Sequence, residues 1–298
     1  MKRVTLVFAS RRRTVGWALQ PSLHSLTVIF FLYLTTLQVA YSWNSIGHQL
    51  VASLALKHLS PQEIAQLTAY NNAYHQGFQP RNLSSAAAWL DWIHCIQPVC
   101  TSFSHYHYID IPYSIDGTAS VLPGSVNAVT VIQHACAVLS NKQASEVEKG
   151  LQLRILLHVV GDIHQPLHAV SLFSREFPNG DRGGNAYLLG HNRVGKNLHA
   201  YWDRGGGSLM RQSLRHRHGI SREVQRLNKK YPCYLDKMNL DPHRWARESY
   251  DLAKKEAYQL GFKEKPTHAY QKRVKQVTEQ RFSLAACRLA ASLKKILS

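Results

Sequence analysis

Residues 158–168 read HVVGDIHQPLH. They close a long run, 147–160, whose apolar side chains recur at helical spacing. On that helix His158 and Asp162 are four apart, so they share one face and can reach one ion. Pro166 then bends the chain, and His168 just beyond it can fold back toward the same place. The spacing recurs in HAYWD, where His199 and Asp203 are again four apart. Imidazole nitrogen and carboxylate oxygen are ordinary zinc ligands. A lone pair of this kind is more commonly a helix-surface ion pair. Two of them, in a chain with 17 histidines, point to metal. Asp91 on an earlier helix-like stretch and His107 in a later segment add candidate ligands. His105, two residues away, competes for the place of His107.

Working outward, most of the chain carries the helical period. Residues 45–59, 86–96, 126–139, 197–201, 245–258 and 274–297 read as helices, and Ser60-Pro61 opens another. Residues 105–111 alternate and are rich in Tyr and Ile, which predicts a short strand or extended segment. Pro178-Asn179-Gly180-Asp181 and Gly183-Gly184 mark a loop or small hairpin within 173–190. Residues 204–218 are glycine-rich, then basic, and read as a solvated loop or helix start. No repeat, heptad array or linker divides the chain. The expectation is an all-α, single compact multi-helix domain with a short β hairpin.

At 298 residues, 45% hydrophobic and 10% aromatic, the chain can bury a large core, and bulk disorder is excluded. Residues 26–40, LTVIFFLYLTTLQVA, follow five basic residues and precede the small-x-small pattern Ala40-Tyr41-Ser42. That is the pattern of a secretory signal peptide over 1–42, cut before Trp43; an uncleaved anchor is the alternative. The expected domain is then 43–298, secreted or periplasmic, without stable membrane association and with no protein partner evident. The formal charge of +18 falls to +13 without the leader, because 31 basic residues then face 18 acidic ones. Such a balance favours an anionic partner. Five cysteines leave at least one unpaired, and Cys95 and Cys100 are near enough to bond. Asn82-Leu83-Ser84 is a glycosylation sequon.

The ordered elements Trp43-Asn-Ser-Ile-Gly47-His48, Ala88-Trp89-Leu-Asp91, His107-Tyr-Ile-Asp110, His158 to His168, Gly183-Gly184-Asn185 and Asn197-Leu-His199-Ala-Tyr-Trp202-Asp203 carry a resemblance. The chain resembles the secreted, zinc-dependent single-strand nucleases and 3′-nucleotidases of the S-one/P-one type, which share a fold with zinc phospholipase C. The resemblance covers the whole of 43–298 and implies a mostly α-helical domain holding three zinc ions in one cleft. It implies Asp91, His107, His158 and Asp162 for the first ion and His168, His199 and Asp203 for the second. For the third it implies His48, Asp162 and Trp43, the last through its α-amino nitrogen and carbonyl oxygen. A zinc-activated water, held by Asp91 and Asp162, would be the nucleophile. The implied substrates are single-stranded DNA or RNA, cut to 5′-nucleotides, and 3′-nucleotides, consistent with nucleic-acid breakdown. Asn185, Lys196 and Arg204 are the candidate substrate-binding residues, and Arg182 and the basic run 211–218 could steer phosphates.

Two departures bear on the base pocket. Ile111-Pro112-Tyr113-Ser114 stand where fungal members continue with polar, acidic residues, and Arg204-Gly205-Gly206 replace a polar residue that commonly contacts the base. The competing reading is a secreted zinc phospholipase C; the HAYWD element and the basic mature chain favour the nuclease. A non-enzymatic zinc-binding adhesin fits less well, since a structural site normally has a closed ligand shell.

Overall fold

The computed structural model describes residues 43–76, 79–93, 98–210 and 219–298, with backbone alone for 98–102. The expected leader 1–42, Cys95 and Cys100 as a bonded pair, His94, and the basic run 211–218 lie outside what is described.

The spine is α6, Glu146–Ile163, preceded by α5, Ala128–Ser140. Ser145 caps α6: its hydroxyl accepts from Glu148 N, and the Glu148 carboxylate accepts from Ser145 N. From Leu153 to Ile163 the helix is buried on every side. Its partners are α5 and α2, Pro61–Ala73, and the α2 crossing is tight: a Cβ on Gly150 would meet the Tyr70 carbonyl at 2.2 Å. Mid-helix Arg154 is fully buried, and its guanidinium donates to Asn71 Oδ1, to the Asn71 and Tyr74 carbonyls and to Gln79 Oε1. A cation spent on backbone carbonyls ties the end of α2 to α6.

Around this spine lie α1, Ser45–Leu56, α3, Leu83–Ala86, and α4, Trp89–Ile93. The 30-residue α10, His268–Leu297, packs on α1 and α6. Shorter α7, Leu198–Asp203, α8, Ile220–Lys230, and α9, Pro242–Glu256, complete the helices among the described residues. Asn82, the sequon asparagine, caps α3 with its side chain. Cys233 is bonded to Cys287 on α10, and Cys136 is free. No helix among the described residues is long and apolar enough to cross a membrane.

Several expectations are corrected. Within the expected helix 86–96, α3 ends at Ala86 and a separate helix, α4, starts at Trp89; residues 94–96 lie outside what is described. Of the expected extended segment 105–111, residues 105–107 instead end a 3-10 helix that runs Pro98–His107. Phe103 packs edge-on to Tyr106 and His105 meets Tyr108, the i, i+3 contacts that such a turn eclipses. Extended chain begins only at β1, Ile111–Ser114. β1 pairs with β2, Val170–Phe173, in parallel, with Ile111 opposite Val170. The small sheet is therefore not a hairpin: parallel strands need a crossover, and α5 and α6 supply it. The 173–190 loop touches the next segment at one bridge, Leu188 to Asn197. α8 carries too short an apolar stripe to be read from sequence: only Glu223, Val224 and Leu227 of it are buried, and the rest is mostly charged or polar.

Candidate metal centre

The C-terminal turn of α6 delivers His158 and Asp162 into the interior, both fully buried. His158 Nδ1–H donates to the Ala87 carbonyl at 2.7 Å, which fixes the tautomer and turns Nε2 inward. There Nε2 lies 3.1 Å from Asp162 Oδ2 and 3.5 Å from Asp91 Oδ1 on α4. His107, at the end of the 3-10 helix, brings Nδ1 to 3.0 Å from the same Asp162 Oδ2. His48 from α1 stacks on His158 with ring centroids 3.8 Å apart, and its Nε2 is 3.3 Å from Asp162 Oδ1. Asp162 thus turns one oxygen to His107 and His158 and the other to His48.

A second group gathers beside it. His168 sits on the 3-10 turn Pro166–Ala169, and α7 carries His199 and Asp203. His168 Nδ1–H donates to the His107 carbonyl and His199 Nδ1–H to the Gly183 carbonyl, each at 2.6 Å. Their Nε2 atoms are buried without a hydrogen-bond partner and stand 3.8 and 3.5 Å from the two Asp203 oxygens, too far to bond. A neutral imidazole lone pair aimed at a carboxylate across such a gap leaves room for a cation. The donor set fits zinc: nitrogen and oxygen atoms within 4.8 Å of one another form three groups, His48–His158–Asp162, Asp91–His107–His158 and His168–His199–Asp203.

The charges are coupled. Burial raises Asp162, but His158, His48 and His107 outweigh it and hold the carboxyl well below its usual range. Burial opposes the charging of His158, yet Asp162 and Asp91 prevail and lift it to about 9. Burial pushes Asp91 up to about 7. His48 falls well below its ordinary value through burial and the neighbouring His158. Burial also lowers His199, whereas Asp203 and Asp162 overcome it at His168 and raise that imidazole.

Of the expected ligands, His48, Asp91, His107, His158, Asp162, His168, His199 and Asp203 therefore converge. The Trp43 side chain is fully buried: its indole donates to the Gly161 carbonyl at 2.9 Å and meets Phe282 edge-on. His105 is exposed, so His107 takes the inner place. Lys196 and Arg204 are exposed, and Arg204 Nη1 donates to the Val194 carbonyl. The Asn185 amide donates to the Arg182 carbonyl at 2.9 Å.

Two supports escaped the sequence reading. Gln165 is fully buried; its amide donates to Asp203 Oδ1 at 2.8 Å and its oxygen accepts from Leu167 N at 2.6 Å. His164, read as a surface or outer polar residue, is fully buried behind α6. Arg288 Nη1 donates to its Nε2, Arg281 Nε donates to its carbonyl, and Glu248 bridges the two guanidiniums. Ser249 donates to the Ile163 carbonyl at 2.5 Å. The last carbonyls of α6 are capped by side chains of α9 and α10.

A family description, S1/P1 Nuclease, matches residues 43–298. Endonuclease 1 of Arabidopsis thaliana is 30% identical over 202 aligned positions, 63% of this chain and 61% of that protein. Nuclease S1 of Aspergillus oryzae is 27% identical over 180 positions, 56% of this chain and 55% of its own. Endonuclease 3 of Arabidopsis thaliana is 26% identical over 95% of this chain and 97% of its own. The chain thus spans about 55–61% of the first two relatives. With the family match running over every described element and both clusters, this chain belongs to the S1/P1 nuclease family.

Proposed function

We propose that the protein is a zinc-dependent phosphodiesterase. It cuts single-stranded DNA or RNA to 5′-nucleotides and removes 3′-phosphates from nucleotides. The observation that carries this is Asp162, which presents its two oxygens to two different histidine groups and so suits a bridge between ions. Zinc bound there would supply positive charge to the phosphate and bring a water toward ionisation near neutral pH. His107, His158 and Asp91 would complete one ligand set with Asp162. His168 and His199, their tautomers fixed by carbonyls, would complete another with Asp203. His48 and the Trp43 amino end would join Asp162 in a third. Asp91 and Asp162 would be the carboxylates that orient the attacking water. The relatives named Endonuclease 1 and Nuclease S1 support a nucleic-acid substrate.

The Trp43 role ties activity to export. The chain would be secreted or periplasmic, freed of its signal peptide between Ser42 and Trp43. An amino group with a reference pKa of about 8 becomes a ligand once metal displaces its proton. A protein beginning Met-Trp43 should lose one zinc and most activity while keeping its helices.

The test uses protein beginning at Trp43, offered single-stranded DNA, RNA, a matched duplex and a 3′-nucleotide, with and without chelator. Single strands should be cut faster than duplex, because pairing hides the bases. Binding should weaken with salt, given the mature charge of +13. Zinc should number about three per chain, as its donor groups suggest. Chelator-insensitive cleavage, or none, would overturn the reading.

A further inference from the structure

Among the described residues Arg182 and Lys263 alone, glycine apart, have positive φ, and Arg182 sits at φ 55° beside the second cluster. A side chain with a Cβ adopts this region at a cost, so the surrounding structure must hold it. Every neighbour does. Asp181, fully buried, accepts from Leu172 N and the Tyr258 hydroxyl, both at 2.8 Å. Arg182 N donates to Ser171 Oγ, and its carbonyl accepts from Asn185 N and Nδ2. The next residue, Gly183, supplies the carbonyl that holds His199, and a Cβ there would strike the Leu167 carbonyl at 2.3 Å.

The side chain is treated differently. Arg182 is exposed, and its guanidinium makes no ion pair or hydrogen bond among the described residues. Burial raises the Tyr108 hydroxyl and lifts the Asp110 carboxyl to about 7; the Arg182 charge opposes both shifts just past His107, as His168 does at Asp110. An arginine that served only solubility would need no locked left-handed backbone. We propose that Arg182 is a substrate-binding residue whose guanidinium grips the non-bridging oxygens of the phosphate being hydrolysed, at the mouth of the His168–His199–Asp203 pocket. The planar fork suits two phosphate oxygens at once, which an ammonium does not match. This inference rests on the phosphodiesterase reading.

Arg182→Gly removes the guanidinium and also relieves the positive φ, so its melting temperature should hold or rise. KM for a single-stranded oligonucleotide and for a 3′-nucleotide should both increase at least about tenfold, as expected when a charged, bidentate contact is lost. Most of the loss should lie in KM rather than kcat, zinc content should match the parent, and Arg182→Lys should recover part. Equilibrium binding of a phosphorothioate-linked dinucleotide is measured in parallel. Equal dissociation constants for parent and Arg182→Gly overturn the assignment even if the parent cuts DNA. Parent protein that binds the dinucleotide but cuts no diester overturns the phosphodiesterase reading instead. A KM rise for the oligonucleotide alone would place Arg182 on a flanking phosphate and overturn its role at the reacting one. Lowered stability or lost zinc with KM unchanged would make it a purely structural residue.

Discussion

Asp162 and Asp203 each face two or more histidines, yet they are held by different means. Asp162 stands inside a helix buried on every side, and its histidines arrive on α1, on α6 and at the end of a 3-10 helix. Asp203 ends a six-residue helix, and its partners are set by single hydrogen bonds: Gln165 to the carboxylate, the His107 carbonyl to His168 and the Gly183 carbonyl to His199. Packing inside α6, with one bond from His158 to the Ala87 carbonyl, positions the first group, and single polar bonds between separate segments position the second. Damage to the first should therefore spread to the fold or to more than one ion. Damage to the second should stay local. His107 joins the two, since its ring faces Asp162 while its carbonyl orients His168.

The largest effect is expected at the shared carboxylate. Asp162→Ala should cut single-strand cleavage by more than about 100-fold, the upper end of what loss of an outer partner costs a metal site. Zinc content should drop by more than one ion, because both oxygens have separate partners. Metal analysis beside a cleavage assay checks it, and near-normal zinc with near-normal turnover would show that Asp162 is not shared between ions.

Next comes the back of α6. Arg281 and Arg288 are buried to 5% and 6% side-chain exposure, and Glu248 is the carboxylate between them. Glu248 is itself 39% exposed, so screening discounts the buried-pair scale, and Glu248→Gln should lower stability by about 2 kcal/mol. Burial raises the Glu248 carboxyl, but Arg288 and Arg281 outweigh it and hold the group below its ordinary 4.5. A depressed carboxylate stabilises above its unfolded value, and the gain is lost as pH falls through the folded one. Parent and variant should therefore differ fully at neutral pH and converge in acid. Denaturant melts across pH test this, and a gap that widens on acidification would contradict the sign.

What could be read in the sequence divides along the same line. His158 with Asp162, and His199 with Asp203, were legible because a helical period of 3.6 puts residues four apart on one face. The hold on those residues was not legible. Arg281 and His164 are 117 positions apart, and Gln165 and Asp203 are 38 apart, so neither contact leaves a local pattern. The alternation over 105–111 resembles a strand, yet residues 105–107 end a 3-10 helix with i, i+3 ring contacts, and the strand starts only at Ile111. Parallel pairing of β1 with β2 is likewise a product of the long crossover between them, and hairpin signals in the glycine loop carry no information about it.

Gln165 sharpens the contrast at smaller scale. Gln165→Ala removes the amide that fixes Asp203 Oδ1 and leaves every α6 residue in place. Affinity for one zinc should fall by about 10-fold or somewhat more, as for other partners that orient metal ligands. The remaining zinc should change little, while the melting temperature should fall modestly because Leu167 N loses its acceptor. Competition with a graded chelator resolves the ions. Uniform loss of all bound zinc would show that the two groups are not held separately.

The smallest effect is expected at the start of α7. Asn197 caps this helix: its Oδ1 accepts from Ala200 N at 2.8 Å, and its Nδ2 donates to the Asn185 carbonyl at 2.9 Å. A six-residue helix is too short to stand on propensity, so the cap and the packing of Leu198, Tyr201 and Trp202 must define it. Asn197→Ala should cost about 1 kcal/mol, the usual worth of an N-cap. Asn197→Asp restores the cap acceptor and puts a negative charge at the positive end of the helix, so it should recover much of that loss. Because α7 carries both His199 and Asp203, the Ala variant should also release its weakest zinc at a lower chelator concentration. The groups around Asp162 should hold theirs. If Asn197→Ala instead weakened all zinc equally, α7 would have to be coupled to α6 more tightly than its hydrogen bonds imply, and the separation between a packed and a locally tethered group would fail.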